Sequence, residues 1–160
     1  MNIIHLLRPG LLVTFNDGFR KELGVVKSVS EDGKSASVVF KFSNDLLNYD
    51  NYTGARCSVD QIKVGWDSGV PTSIISRSIL DTYDYLCVIP GRNLCGIAKV
   101  GKEIAVYHGI TIEGPSGYWT FDSELEAFAG LRQYTGKHNP VVLWKAYKGH
   151  SKSYRNPLRK

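Results

Sequence analysis

The chain has 160 residues, of which 42% are hydrophobic and 22% charged. Nine Tyr, six Phe and three Trp supply ample core material, which excludes disorder along the whole length. No apolar run is long enough to cross a membrane, and Arg8-Pro9-Gly10 interrupts the apolar start. We therefore expect a cytoplasmic protein that has no signal sequence and does not contact membranes.

The net charge of +5 is concentrated near the C-terminal end of the sequence. Residues 145–160 hold six of the 20 Lys and Arg and none of the 15 Asp and Glu. The 14 remaining basic residues face 15 acidic ones, so the rest of the chain has a net charge of −1. Such a segregated basic segment favours contact with phosphate groups.

The cysteine and histidine pattern argues against disulfides, metals and catalysis. Cys57, Cys87 and Cys95 are odd in number and lack the spacing of a disulfide framework, which favours a reducing compartment. No Cys or His pair has the short spacing that presets a metal site. Glycine-rich phosphate loops and nucleophile elbows are absent from the sequence. We therefore expect no metal, no cofactor and no catalytic residue.

Short apolar runs separated by turn residues predict β structure in the first half. Strands are expected at 11–15, 24–29 and 35–42, with a further strand within 56–64. Asp32-Gly33 stands between two of these runs and is a strong hairpin signal. The alternation over 35–42 predicts one buried face, made of Ala36, Val38, Phe40 and Phe42. The Asn- and Tyr-rich residues 43–56 predict a long exposed loop.

The second half combines predicted helices with predicted strands. Pro71 and the four-residue spacing of Ile75, Ile79 and Tyr83 favour a helix over 71–83. Strands are expected at 85–89, 94–99, 103–108, 110–113, 118–121 and 140–147. The clearest helix covers 123–134, because Ser123 can cap its first turn. Its predicted apolar ridge consists of Leu125, Phe128, Leu131 and Tyr134.

Residues 8–42 resemble the opening of a small SH3-like barrel of the KOW or Tudor-like kind. The resemblance rests on Arg8-Pro9-Gly10, the strand ending at Phe15, the bracketing Gly18 and Gly24, and the Asp32-Gly33 hairpin. It implies a binding module, since KOW-like domains contact RNA or the transcription and translation machinery. Tudor-like domains bind peptides in an aromatic cage, for which Phe15, Phe40, Tyr49 and Tyr52 are available. Arg20 and Lys21 match positions where KOW-like domains present basic residues.

The predicted fold class is a β-rich α+β fold. An N-terminal SH3-like small barrel is expected over 1–65. A small α+β unit with an antiparallel sheet and one clear helix, in the order β-β-α-β, is expected over 66–147. The Gly- and Pro-containing residues 65–71 are the candidate junction. A basic C-terminal arm covers 148–160.

The sequence favours a non-enzymatic protein that contacts nucleic acid or a nucleoprotein complex through this C-terminal region. Basic side chains neutralise phosphates, and aromatic rings stack on unpaired bases. The candidate phosphate contacts are Lys145, Lys148, Lys152, Arg155, Arg159 and Lys160. The candidate stacking residues are Tyr147 and Tyr154, and secondary basic contacts are expected from Arg20, Lys21 and Lys27.

Two alternatives from other functional classes stay open. One is a protein-interaction module, such as a phage-encoded inhibitor or an accessory subunit of a larger complex. The other is a small enzyme that uses His108 and nearby acids. Tyr107-His108-Gly109 resembles the strand motif with which one class of ADP-ribosyltransferases holds nicotinamide dinucleotide. Only 52 residues follow His108, however, and Glu126 is the last acidic residue.

Overall fold

A computed structural model describes residues 7–134. Two antiparallel sheets and few helices form a β-rich α+β fold, which confirms the predicted class. The first sheet contains the strands β1 Leu12–Asn16, β2 Lys21–Val29, β3 Ser35–Val39, β4 Ala55–Ser58 and β5 Ile62–Val64. The second half contains α1 Arg77–Thr82, β6 Tyr85–Ile89, β7 Asn93–Val100, β8 Glu103–His108, β9 Gly117–Phe121 and α2 Glu124–Gln133.

The first sheet has the strand order β4-β3-β2-β1-β5. Its β2–β3 turn confirms the hairpin predicted from Asp32-Gly33. Gly33 has a φ of 71°, and the Asp32 carboxylate accepts a hydrogen bond of 2.9 Å from the amide of Lys34. The strands β4 and β5 form the two edges and are not paired with each other, so the sheet is not a closed barrel.

The loop between β3 and β4 corrects the prediction of an exposed segment. Residues Leu46–Asn51 form 3-10 helix, and Tyr49 within it is only 1% exposed. The Tyr49 ring packs in a core cluster with Leu12 and Val88, from both sheets. The polar composition of the loop does not reveal this burial, because Tyr49 is the one side chain of this 3-10 helix that is buried.

The second sheet has the order β6-β7-β8-β9, and α2 packs against β8 and β9. The predicted cap of α2 is confirmed, since the Ser123 hydroxyl accepts a hydrogen bond of 3.2 Å from the amide of Glu126. The predicted ridge is wrong at Leu125, whose side chain is 77% exposed. Ala127 and Leu131, four residues apart, are fully buried.

Two other predicted elements differ from the structure. The helix predicted over 71–83 is limited to α1, because Ser76 is its N-cap and accepts a hydrogen bond from the amide of Ile79. The strand predicted at 110–113 is a turn, in which Thr111 and Gly114 exchange backbone hydrogen bonds of 3.1 and 2.9 Å. The predicted strand at 140–147 lies outside the described residues.

The core joins the two sheets. Gly10 donates a backbone hydrogen bond of 2.8 Å to Val26 in β2 and accepts one of 2.8 Å from Val88 in β6. One buried cluster combines Leu11 and Val13 with Cys87 and Val106, so residues on both sides of the expected 65/66 boundary share it. The segment before β1 therefore links the two sheets through its backbone as well as its side chains.

Candidate functional site

The turn between β1 and β2 carries Arg20 and is followed directly by Lys21, the first residue of β2. The Asp17 carboxylate accepts hydrogen bonds of 2.9 Å from the amides of both Phe19 and Arg20. These two hydrogen bonds lower the pKa of Asp17, and the bond from the Arg20 amide has the larger effect. Gly18 has a φ of 90°, which suits glycine. The closed turn leaves the Phe19 side chain 98% exposed.

Aromatic rings hold Arg20 against the surface of the first sheet. Its guanidinium carbon lies 5.0 Å from the ring centroid of Phe15 and 5.8 Å from that of Phe40. Its Nη1 also lies 3.2 Å from a carboxylate oxygen of Glu22. Cation–π contacts of this kind fix the orientation of the planar guanidinium. Phosphate contact by Arg20 would therefore compete with the Glu22 pair.

Lys21 and Lys27 also have intramolecular partners. The Lys21 ammonium lies 3.3 Å from the Asp67 carboxylate. The Lys27 ammonium donates a hydrogen bond of 2.8 Å to the backbone carbonyl of Tyr52. The amide of Gly69 is the main cause of the lowered pKa of Asp67, and Lys21 adds to it. The structure therefore places the three expected secondary contacts on or beside β2, each with a partner in the fold.

The aromatic residues considered for a Tudor-like cage do not gather at one place. Phe15 and Phe40 pack edge to face with ring centroids 5.8 Å apart. Tyr49 and Tyr52 belong to the other core cluster, and Tyr49 is fully buried. Because Arg20 of the same chain already covers the Phe15 and Phe40 rings, these rings serve as an internal support for the turn.

His108 and the cysteines are part of the core. His108 is 5% exposed and stacks on Trp119 with ring centroids 4.7 Å apart. Burial raises the pKa of the Cys87 thiol to about 11 and that of Cys95 well above its usual value. Among residues 7–134, no group of three or more His, Cys, Asp or Glu is arranged to hold a metal ion. The enzyme alternative based on His108 stays a prediction.

The main candidate site lies outside the described residues. It comprises Lys145, Tyr147, Lys148, Lys152, Tyr154, Arg155, Arg159 and Lys160. The described residue that sequence reasoning missed is Phe19. The sequence feature that could have indicated its exposure is a large aromatic residue between Gly18 and Arg20, in a turn where polar residues are the rule.

Comparison with known proteins adds no assignment to this geometry. Within residues 7–134, none of the helices has the length and apolar character needed to cross a bilayer. No family model, curated protein or solved structure matches the chain.

Proposed function

We propose that the protein binds single-stranded nucleic acid, alone or within a nucleoprotein complex, through its basic residues 145–160. The observation that carries the proposal is the segregation of charge. Residues 7–134 contain 13 of the 20 Lys and Arg but all 15 Asp and Glu, a net charge of −2. Residues 135–160 contain the other seven basic residues and no acid, a net charge of +7. Phosphate is therefore attracted to one end of the sequence.

The exposed ring of Phe19 adds a contact that favours unpaired bases. It is 98% exposed on a turn that two hydrogen bonds to Asp17 hold in place. An aromatic ring presented on a rigid turn offers a stacking surface at low entropic cost, and every base has a face that can stack on it. Tyr147 and Tyr154 are the proposed stacking residues within the basic segment.

We also propose that the five-stranded sheet is an open SH3-like barrel of the KOW-like kind. In support, β1 pairs with both β2 and β5. The two edge strands, β4 and β5, are joined only by the 3-10 helix Val59–Gln61. So short a connection requires the sheet to curl until its edges approach each other at one end. The turn that carries Phe19 connects β1 and β2, two of the three interior strands of this sheet.

The test measures binding to a fluorescent oligouridylate by anisotropy over a series of salt concentrations. One variant replaces the six basic residues of 145–160 by Gln. A matched control replaces six exposed basic residues within 7–134 by Gln: Lys34, Lys41, Arg56, Lys63, Lys99 and Lys102. If all six basic residues of 145–160 contact phosphate, log Kobs falls with log salt at a slope of about −4. The first variant should lose binding and flatten this slope, and the control should keep both.

A second measurement examines the stacking contact. Phe19→Ala should weaken binding by about 5- to 150-fold, since stacking contributes roughly 1–3 kcal/mol per base. Leu125→Ala, at another apolar side chain that is mostly exposed, is the matched control and should leave affinity unchanged. Equal binding by the wild type and the 145–160 variant would refute the proposal. Absence of oligouridylate binding even at low salt would favour the protein-interaction alternative.

A further inference from the structure

A groove of about 450 Å³ lies away from the Phe19 turn. Its floor includes the buried side chains of Ile75, Leu94 and Ile110. Its rims carry two exposed aliphatic residues, Leu47, which is 36% exposed, and Ile112, which is 80% exposed. These residues come from four separate segments of the chain, so tertiary packing alone creates the apolar surface. The volume falls within the range of sites for small molecules.

Most polar side chains that line the groove are already engaged. Asn93 accepts hydrogen bonds from Cys95 and from the amide of Gly109. The Ser76 hydroxyl accepts one from the amide of Ile79, at the cap of α1. The Thr111 hydroxyl donates to the Glu113 carboxylate and the Gly114 carbonyl. These groups shape the walls and offer little hydrogen-bonding capacity to a ligand.

Arg92 differs from these groups, because it is exposed at the turn between β6 and β7 and has no ion pair within residues 7–134. Among the described residues that line the groove it is the one cation, and none is a carboxylate. Glu113, next to the lining residue Ile112, binds the Thr111 hydroxyl. The groove thus combines an aliphatic surface with one guanidinium that has no ion pair among the described residues, and such a group suits a planar carboxylate.

We propose that this groove, termed the Arg92 groove, binds an amphipathic carboxylate with an unbranched alkyl chain. The chain lies on the floor formed by Ile75, Leu94 and Ile110, and the carboxylate pairs with Arg92. The rim residues Leu47 and Ile112 cover the chain from both sides. The apolar surface supplies affinity, and the guanidinium selects the charge of the head group.

The first experiment titrates octanoate and decanoate, each below its critical micelle concentration, into the full-length protein by calorimetry. Each buried methylene strengthens binding by roughly fourfold, so decanoate should bind roughly 15-fold more tightly than octanoate. Decyltrimethylammonium has an alkyl chain one methylene longer than that of decanoate and the opposite charge. It should bind more weakly than decanoate, because its head group is repelled by Arg92.

Two matched variants locate the site. Arg92→Gln should weaken decanoate binding by about tenfold, because it removes a hydrogen-bonded charge. Arg56→Gln removes another exposed guanidinium, from β4 and outside the groove, and should have no effect. Ile112→Ala should weaken decanoate binding and reduce the advantage of decanoate over octanoate. Thermal unfolding confirms that each variant is folded.

Three results would overturn the proposal. They are non-saturable binding of decanoate, equal affinity of octanoate and decanoate, and equal effects of Arg92→Gln and Arg56→Gln. Saturable decanoate binding that resists both Arg92→Gln and Ile112→Ala would mean that decanoate binds elsewhere. Because oligouridylate plays no part in these titrations, their failure is distinguishable from failure of nucleic-acid binding.

Discussion

The indole Nε1 of Trp66 donates a buried hydrogen bond of 2.9 Å to the carbonyl oxygen of Gly24, 42 residues earlier in the chain. The Trp66 ring also stacks on Phe42, with centroids 6.4 Å apart. On either side of Trp66, the Thr14 hydroxyl donates to the Gly65 carbonyl and accepts from the Asp67 amide, at 2.6 and 2.9 Å. The start of the segment expected to be a junction is therefore bound firmly to β1 and β2.

Trp66→Phe should lower the free energy of unfolding by about 1–3 kcal/mol, because the buried Gly24 carbonyl loses its donor. Loss of ring volume against Phe42 adds to this effect. Urea titration followed by circular dichroism measures the change. Phe19→Ala, at a fully exposed aromatic, is the control and should change stability by less than about 0.5 kcal/mol. Equal stabilities of wild type and Trp66→Phe would show that the hydrogen bond contributes nothing.

The elements predicted correctly from the sequence are those that local chemistry determines. Asp32-Gly33 forms its turn because a carboxylate and a positive-φ glycine act within four residues. Ser123 begins α2 for a similar local reason. The burial of Tyr49 and the exposure of Leu125 depend on contacts between distant segments. The spacing of apolar residues along one element cannot reveal which other segment covers that element. The predicted exposure of the loop that contains Tyr49 and the predicted burial of Leu125 were therefore wrong.

Among the candidate binding surfaces, too, some could be predicted from the sequence and others depend on tertiary contacts. The basic segment 145–160 could be identified from the sequence because charge is additive along a chain. The exposure of Phe19 depends on the closed turn at Asp17, and residue type alone argues for burial. The Arg92 groove could not be predicted, because its floor combines Ile75, Leu94 and Ile110 from separate segments.

Gly10 and Gly18 provide a matched pair for separating steric crowding from backbone strain. Both have positive φ, 95° and 90° respectively. A Cβ on Gly10 would clash with the backbone carbonyl of Val88, whereas a Cβ on Gly18 meets nothing within 4 Å. Gly18→Ala should cost about 1–2 kcal/mol through backbone strain alone. Gly10→Ala should cost at least about 1 kcal/mol more, through displacement of β6. Chemical denaturation gives both values, and equal losses would contradict the close contact.

The three cysteines should resist modification in the folded protein. Cys57, Cys87 and Cys95 are all buried, and burial raises the pKa of each thiol. Because the thiolate is the reactive form, Ellman's reagent should label none of them until denaturant is added, when all three should react. Ser68→Cys places a thiol at an exposed position and is the positive control. Rapid labelling of the native wild type would show that the core opens readily.

Stability should fall in alkaline solution, partly because of Cys87. Burial is the main cause of its pKa of about 11, compared with 9.0 for an exposed thiol, and Arg8 acts in the opposite direction. Since the folded-state pKa is raised, the stabilising contribution is complete below pH 9 and is lost as the pH rises to 11. Over this window the unfolded thiol ionises while the folded one does not, which removes about 1.4 kcal/mol per pH unit.

Urea unfolding at several pH values between 9 and 11, with a reductant present, measures this loss. Cys87→Ala should be less stable than the wild type at neutral pH, because it leaves a cavity. Its free energy of unfolding should nevertheless decline less steeply above pH 9 than that of the wild type, by about 1.4 kcal/mol per pH unit, because one ionising thiol has been removed. The buried Cys95, Tyr49 and Tyr85 also have raised pKa values, so some alkaline loss persists in the variant. Parallel pH profiles for variant and wild type would mean that Cys87 ionises as readily in the folded chain as in the unfolded one.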